Sequence, residues 1–412
     1  MSVSHVPEPG TGHGGAADVI CALLAVFGGL ADPRSPRGIR HELASVLTIT
    51  VLAVLAGARN FREAGDRAAE LPADLLASAG ARIGPVTGVP QAPSSATISR
   101  IVADIDATHA DARVGAWLAQ CVAVHRARHG DQPFDTTDLP EGVDWLDGLA
   151  IDGKTIRNSA APGGIDVKLF SALTHREQVV IAQLAVPEHT TEVTCVPALL
   201  DPIDLTGKIV TADAAHTQDT TAEYLANTRN ADYTLTVKGN RPHLLEAIAA
   251  RMPRALAGSA HHTHEQITGG RRVVREIWVT NAEGITFPGA NQVFRIRRSV
   301  YDLAGHRISK DIVHGITSLT PTRATPAQLL ALVRDHWHIE SNHWIRDVAW
   351  REDHQHAYTG TAAHAMATLR NLALAILRLT GHRQITRTLQ HIAADRTRIL
   401  PLLAAFPLPT HT

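Results

Sequence analysis

The 412-residue chain is too long for one ordinary hydrophobic core and implies two or three structural units, with 44% hydrophobic residues to fill them. A net charge of −1 carries no global signature of nucleic-acid binding, and three widely spaced cysteines (Cys21, Cys121, Cys195) exclude a disulfide framework or CxxC metal site and fit a reducing cytoplasm. The opening MSVSHVPEPGTGHGG lacks the order of a signal peptide, and the longest apolar run, 43–58, is shorter than the roughly 20 residues that span a bilayer, so no membrane partner is expected. Residues 1–15 read as disordered. Helical patterning follows in ADVICALLAVFGGL, HELASVLTITVLAVLAGA and FREAGDRAAEL, and Ser94 or Ser95 caps a further helix, ATISRIVADID. An acidic stretch, DQPFDTTDLPEGVD, reads as a linker.

Beyond it the texture changes. WLDGLAIDGKTI, KLFSALTH and QVVIAQLAV read as three antiparallel strands. TEVTCVPALLD reads as helix, GKIVTAD as strand, TTAEYLANTR as helix and DYTLTVKG as strand. That order is the order of a ribonuclease H-like core. RRVVREIWVT, QVFRIRRSV and DIVHGITSL break the alternation as a β-rich insertion, and helices resume from Pro326. His261, His262 and His264 are expected in a loop.

Two aspartates sit on predicted strands: Asp152 in or at the end of the first, and Asp213 at the end of the fourth, directly after the apolar IVTA. Neighbouring strands would bring them together, as two-metal phosphodiester chemistry requires. An oxygen-only carboxylate site suits Mg²⁺, with Mn²⁺ as a substitute. A third acid is expected from the helix of DHWHIESNHWIRDVAW, where steps of four, three and four place His336, Glu340, His343 and Asp347 on one face. Trp337, Trp344 and Val348 form an adjacent stripe expected to pack on the sheet. The same face admits a rival reading, with His336, Glu340 and His343 as zinc ligands of a hydrolase.

Basic charge is segregated: Arg34, Arg37, Arg40 and His41 cluster early, then Arg271, Arg272 and Arg275, then Arg295, Arg297 and Arg298. Only five lysines occur, and Lys154 and Lys238 lie beside the acidic segments as candidates for phosphate contact.

IDGKTIRNS, VTADAAHTQ, YTLTVKGNRPHL, HWHIE followed by HW and DV, RED, and MATLRNLALAILR together resemble insertion-sequence DDE transposases, closest to the ISAs-type branch with its H-repeat-associated proteins. DPRSPRGIRHELASVLTITVLAVLAGARNFRE is similar to that branch's opening segment, and the resemblance runs from Asp32 to Leu379. It implies a ribonuclease H-like mixed-sheet α/β core with a β-rich insertion and an N-terminal all-helical domain. It matches Asp152, Asp213 and Glu340 to the catalytic, metal-holding triad. The implied reaction nicks element ends with activated water and joins the freed 3′-hydroxyl to target DNA. The implied partners are terminal repeats, target DNA and a second copy of the chain, and the implied location is the cytoplasmic nucleoid.

The expected organisation is a disordered start and leading helix (1–31), a DNA-binding helical domain (32–128) and a linker (129–145). The core follows (146–259), then the insertion (260–318), helical completion of the core (319–381) and a tail (382–412). SSATISRIVADI resembles a helix-turn-helix reading helix. Of the superfamily's Tyr–Arg–Glu–Lys signature only Glu340 remains, with Val333, His336 and Asp347 at the other positions. In GGRRVVRE, Gly270, Arg271 and Arg275 match the branch, while Val273 replaces an acid. Lys154, Lys238, Arg271, Arg275, His336 and His343 are the DNA-contact candidates. The same motifs would also suit a degenerate relic that binds DNA without cutting, or a nuclease that cuts without strand transfer.

Overall fold

A computed structural model describes residues 15–37, 39–130, 143–252 and 259–409. The expected disorder at the N-terminus and most of the acidic linker lie outside them.

The chain opens with helices α1 (Ala16–Gly28), α2 (Leu43–Leu55), α3 (Phe61–Ala69) and α4 (Ala73–Ser78), a short hairpin of β1 (Arg82–Ile83) and β2 (Pro90–Gln91), then α5 (Ser95–Asp104) and α6 (Ala107–His129). Strands β3 (Gly148–Thr155), β4 (Lys168–Thr174) and β5 (Val180–Ala185) precede α7 (Glu192–Leu200), β6 (Ile209–Ala212), α8 (Asp219–Glu223), β7 (Asp232–Val237) and α9 (Pro242–Arg251). Four strands follow: β8 (His262–Thr268), β9 (Arg271–Asn281), β10 (Gln292–Tyr301) and β11 (Arg307–Thr317). The chain ends in α10 (Pro326–His336), α11 (His338–Ala349), α12 (Ala362–Leu379), α13 (Ile385–Ala394) and α14 (Ile399–Ala404). The last two helices stand where sequence pattern alone suggests a tail: Ile385, Leu389 and Ile392 recur at helical spacing and are buried.

Two compact units divide these elements, and neither is continuous in sequence. Residues 1–130, 156–166 and 345–412 make the helical unit, and residues 131–155 and 167–344 make the sheet unit. In the helical unit, α2 is buried on almost every side, which is why its sequence is apolar without a clear stripe. α12 buries every residue except Arg378. Glu352 is fully buried and takes both Arg346 (2.6 Å) and Arg370 (3.0 Å), while Arg346 also donates to Asn371 Oδ1 at 3.1 Å. Buried charges persist only when paired in this way. The conspicuous RED and RN of the sequence therefore build the helical unit's interior. No helix among the described residues is long and apolar enough to cross a membrane.

In the sheet unit nine strands form one mixed sheet in the order β5-β4-β3-β6-β7-β11-β10-β9-β8. β3, β6 and β7 run parallel, while β4 and β5 extend the sheet antiparallel on one side and β11 to β8 on the other. α10 packs Leu329, Leu330 and Leu332 with Ile209, Ile277 and Phe294 of the sheet. β8 is a correction to the loop expected around His262 and His264, since both lie in a paired strand. Its residues alternate between half-buried and exposed, but polar side chains fill the half-buried positions, so no apolar alternation marks this edge strand in the sequence.

Candidate active site

The parallel pairing of β3 with β6 sets Ile151 opposite Ala212, so the residues that follow stand side by side: Asp152, still paired with Ser171 of β4, and Asp213, the first residue beyond β6. Asp213 also caps a 3-10 turn over Ala214–His216, and its Oδ1 accepts from the Ala215 amide at 2.9 Å. One carboxylate oxygen is thus fixed by backbone. Glu340 comes from the first turn of α11, where the helix dipole favours an anion.

The electrostatics place these acids in one field. Burial pushes the Asp152 carboxyl up to about 7, and the charges of Asp213, Glu192 and Glu340 add to that, against the Gly153 amide. Glu340 is raised for the same first reason, burial, with the Lys238 ammonium opposing and Asp213 adding. Carboxylates that repel one another beside two neighbouring parallel strands are the donor chemistry of a hard divalent cation. Among the described residues no three His, Cys, Asp or Glu side chains are drawn together as a finished cage.

α10 ends at His336, and Trp337 interrupts the helix before α11 begins. The single face expected to carry His336, Glu340, His343 and Asp347 is therefore not continuous. His336 turns inward: it is 6% exposed, and its Nδ1 lies 3.1 Å from Thr211 Oγ1, which lies 2.9 Å from His175 Nε2. Burial drops His336 to about 4, against the pull of Asp213, so the ring is neutral. A neutral interior ring is no accessible phosphate contact; it fixes Thr211, two residues before Asp213. Nor is it a free zinc ligand, so the arrangement does not favour the zinc hydrolase. His343 lies close to the carboxylates instead, with Nδ1 3.7 Å from Asp152 Oδ2, which is ion-pair range rather than a hydrogen bond.

The tryptophan stripe also departs from expectation. Trp337 and Trp344 are 54% and 62% exposed, and Val348 is exposed as well. Ile339 takes the inward position instead, packed with Ala150, Leu173 and Val180. The interruption at Trp337 shifts the helical phase, and the stripe turns outward with it.

Lys154 is buried on the same strand face as Asp152, two residues on, while Lys238 is exposed just beyond β7 and acts electrostatically on Glu340. Arg271 is exposed and Arg275 half-buried on β9. That strand is four places from β6 in the sheet, roughly 19 Å at the usual strand spacing, so neither belongs to the carboxylate cluster.

One group escapes sequence reading. Glu192, the first residue of α7, receives Lys168 at 2.7 Å and His216 Nε2 at 3.0 Å. Burial alone would raise its carboxyl, but these two partners hold it below the usual range. His216 stacks flat on Phe170, with centroids 5.0 Å apart. A Cβ on Gly153 would meet Glu192 Oε1 at 1.9 Å, so the glycine of IDGK leaves room for the carboxylate as its two partners hold it. Nothing local marks this cluster, because Glu192 is 24 residues from each of its two partners, Lys168 and His216.

The family model described as "Transposase DDE domain" matches residues 146–376, and the one described as "DDE_Tnp_1-associated" matches residues 24–118. YncI of Escherichia coli O157:H7, assigned as a transposase, is 28% identical over 377 residues, covering 87% of this chain and 88% of that one. The H repeat-associated protein YhhI of Escherichia coli K12 is 26% identical over 393 residues, covering 91% and 96%. Among solved structures, a piggyBac transposase synaptic complex with hairpin DNA matches at a TM-score of 0.38 and 10% identity, over 96% of this chain and 80% of that one.

Proposed function

Because this chain belongs to the DDE transposase family, we propose that Asp152, Asp213 and Glu340 are the triad with which it cuts and joins DNA, using Mg²⁺ or, in substitution, Mn²⁺. The observation that carries this is the register of β3 on β6, which sets two carboxylates side by side with a third acid in their field. The cation would polarise the attacking and leaving oxygens of the phosphodiester. Asp213, with one oxygen tied to the Ala215 amide, presents the other in a fixed direction. His343 stands beside Asp152, its Nδ1 3.7 Å from Asp152 Oδ2. Lys238, exposed and acting electrostatically on Glu340, is the cation placed to take a non-bridging phosphate oxygen, whereas Lys154 is buried two residues beyond Asp152.

The strand order β5-β4-β3-β6-β7 supports a ribonuclease H-like core, with β8 to β11 as its β-rich insertion (260–318). On this reading the substrate is the pair of element ends, nicked by water to leave 3′-hydroxyls that attack target DNA. Two copies of the chain hold the two ends in the cytoplasmic nucleoid, and the helical region within 32–128 engages the terminal repeats.

The test is cleavage of labelled duplex carrying the element's own ends with Mg²⁺. The intact chain should leave 3′-hydroxyl nicks, and Asp152→Asn and Glu340→Gln should each lower the rate by ~10³-fold or more. Cleavage that persists in both variants would overturn the triad. Binding of the ends without cleavage by the intact chain would instead identify a relic.

A further inference from the structure

The helical unit contains a basic cleft, separate from the carboxylate cluster, with a volume of about 760 Å³. The loop after α1 supplies Arg34, Arg37, Arg40 and His41 to its wall, the β1–β2 hairpin supplies Arg82, and α5 supplies Arg100. Asp104 is the one acidic side chain in the lining. Arg34 is committed to Asp32 at 2.6 Å. Arg37, Arg40, Arg82 and Arg100 have no carboxylate partner among the described residues, and three of them are exposed while Arg82 is half-exposed.

Four like charges around one concavity cost free energy unless an anion relieves them. His41 reports that field: burial lowers its proton affinity, and Arg82, Arg34 and Arg40 lower it further, while its buried Nδ1 has no hydrogen-bond partner. The same wall carries Ser94 and Thr97, the cap and first turn of α5, where the helix's positive end faces the cleft.

α5 itself is not free to enter a groove as a reading helix. It buries Ile98, Ile101 and Val102, and Gly65 of α3 lies so close that a Cβ there would meet the Ser95 nitrogen at 2.5 Å. It presents to the cleft its N-terminal end and the exposed Arg100 and Asp104.

We infer that this cleft is a phosphate-backbone clamp for duplex DNA, in which Arg37, Arg40, Arg82 and Arg100 straddle the phosphates without reading sequence. Guanidinium forks suit phosphate oxygens, and a cleft open to solvent suits a continuous polyanion. The inference rests on the reading of the chain as a protein that acts on DNA.

The experiment measures the affinity of the full chain for a long duplex of arbitrary sequence, in chelator, over about 50 to 200 mM KCl. Replacing Arg37, Arg40, Arg82 and Arg100 with alanine should weaken binding at least about tenfold and flatten the slope of log K against log[salt] by about 3 to 4. A control removes four exposed arginines elsewhere in the helical unit, Arg62, Arg128, Arg387 and Arg398. It should change the slope by less than about 1. Equal melting temperatures show that all three proteins fold.

An unchanged slope in the cleft variant overturns the clamp alone, as does an equal loss in the control. Inorganic phosphate that stabilises the intact chain but not the cleft variant, with duplex affinity unchanged, would reassign the cleft to a small phosphate and overturn it. No duplex affinity in the intact chain would sink both the clamp and the DNA-acting reading.

Discussion

Asp152 bears a charge that burial and three neighbouring carboxylates all oppose. In the unfolded chain its carboxyl loses its proton near 3.8, whereas in the fold it keeps it up to about 7. Between those values the native state holds the extra proton, so metal-free stability falls as pH rises across that window and the full penalty stands above it. Asp152→Asn should therefore stabilise the chelated protein at pH 8 by roughly 2–4 kcal/mol and leave it unchanged near pH 4. Urea melts at the two pH values measure this. A divalent cation should reverse the ranking, raising the melting temperature of the intact chain more at pH 8 than at pH 6 and scarcely moving the variant. Parallel pH profiles for the two proteins would mean that Asp152 carries no such load.

At the scale of elements, the legible parts were those whose signal is local. Apolar runs ending in an acid gave β3 and β6, and with them Asp152 and Asp213. Ser94 does cap α5 by accepting from Thr97. The break between α10 and α11 was not legible, because DHWHIE contains neither proline nor glycine; the tightening appears only in the Trp337 amide turning back to Arg334 and Asp335. Bulky indoles then read as core because size usually implies burial. Exposure predicts the opposite energetics: Trp337→Ala and Trp344→Ala should each cost less than about 1 kcal/mol in urea unfolding. Trp350→Ala should cost about 3–5 kcal/mol. Trp350 is fully buried and donates to the Val54 carbonyl at 3.0 Å. A loss above about 3 kcal/mol at Trp337 or Trp344 would show the indoles to be packed after all.

For the whole molecule, chain order and structural unit do not coincide. The helical unit draws on three separate stretches, and its most enclosed helix, α12, arrives more than 200 residues after α6 ends. α12 packs against α2, α5 and α6, all of which precede residue 130. It also satisfies Asp111, a 4%-exposed carboxylate on α6 that receives Thr368 Oγ1 at 2.6 Å and pairs with His364. A fragment of residues 1–130 would expose the apolar faces that α12 covers and leave Asp111 without these partners, a combination that costs several kcal/mol and defeats a marginal core. Expressed alone, that fragment should therefore show helical circular dichroism but no cooperative melt and poor amide dispersion in NMR. Adding residues 345–412 in trans, or joining them by a flexible linker, should restore a cooperative transition. A sharp melt from residues 1–130 alone would mean that the N-terminal helices fold as an autonomous domain and that α12 only docks onto a finished surface.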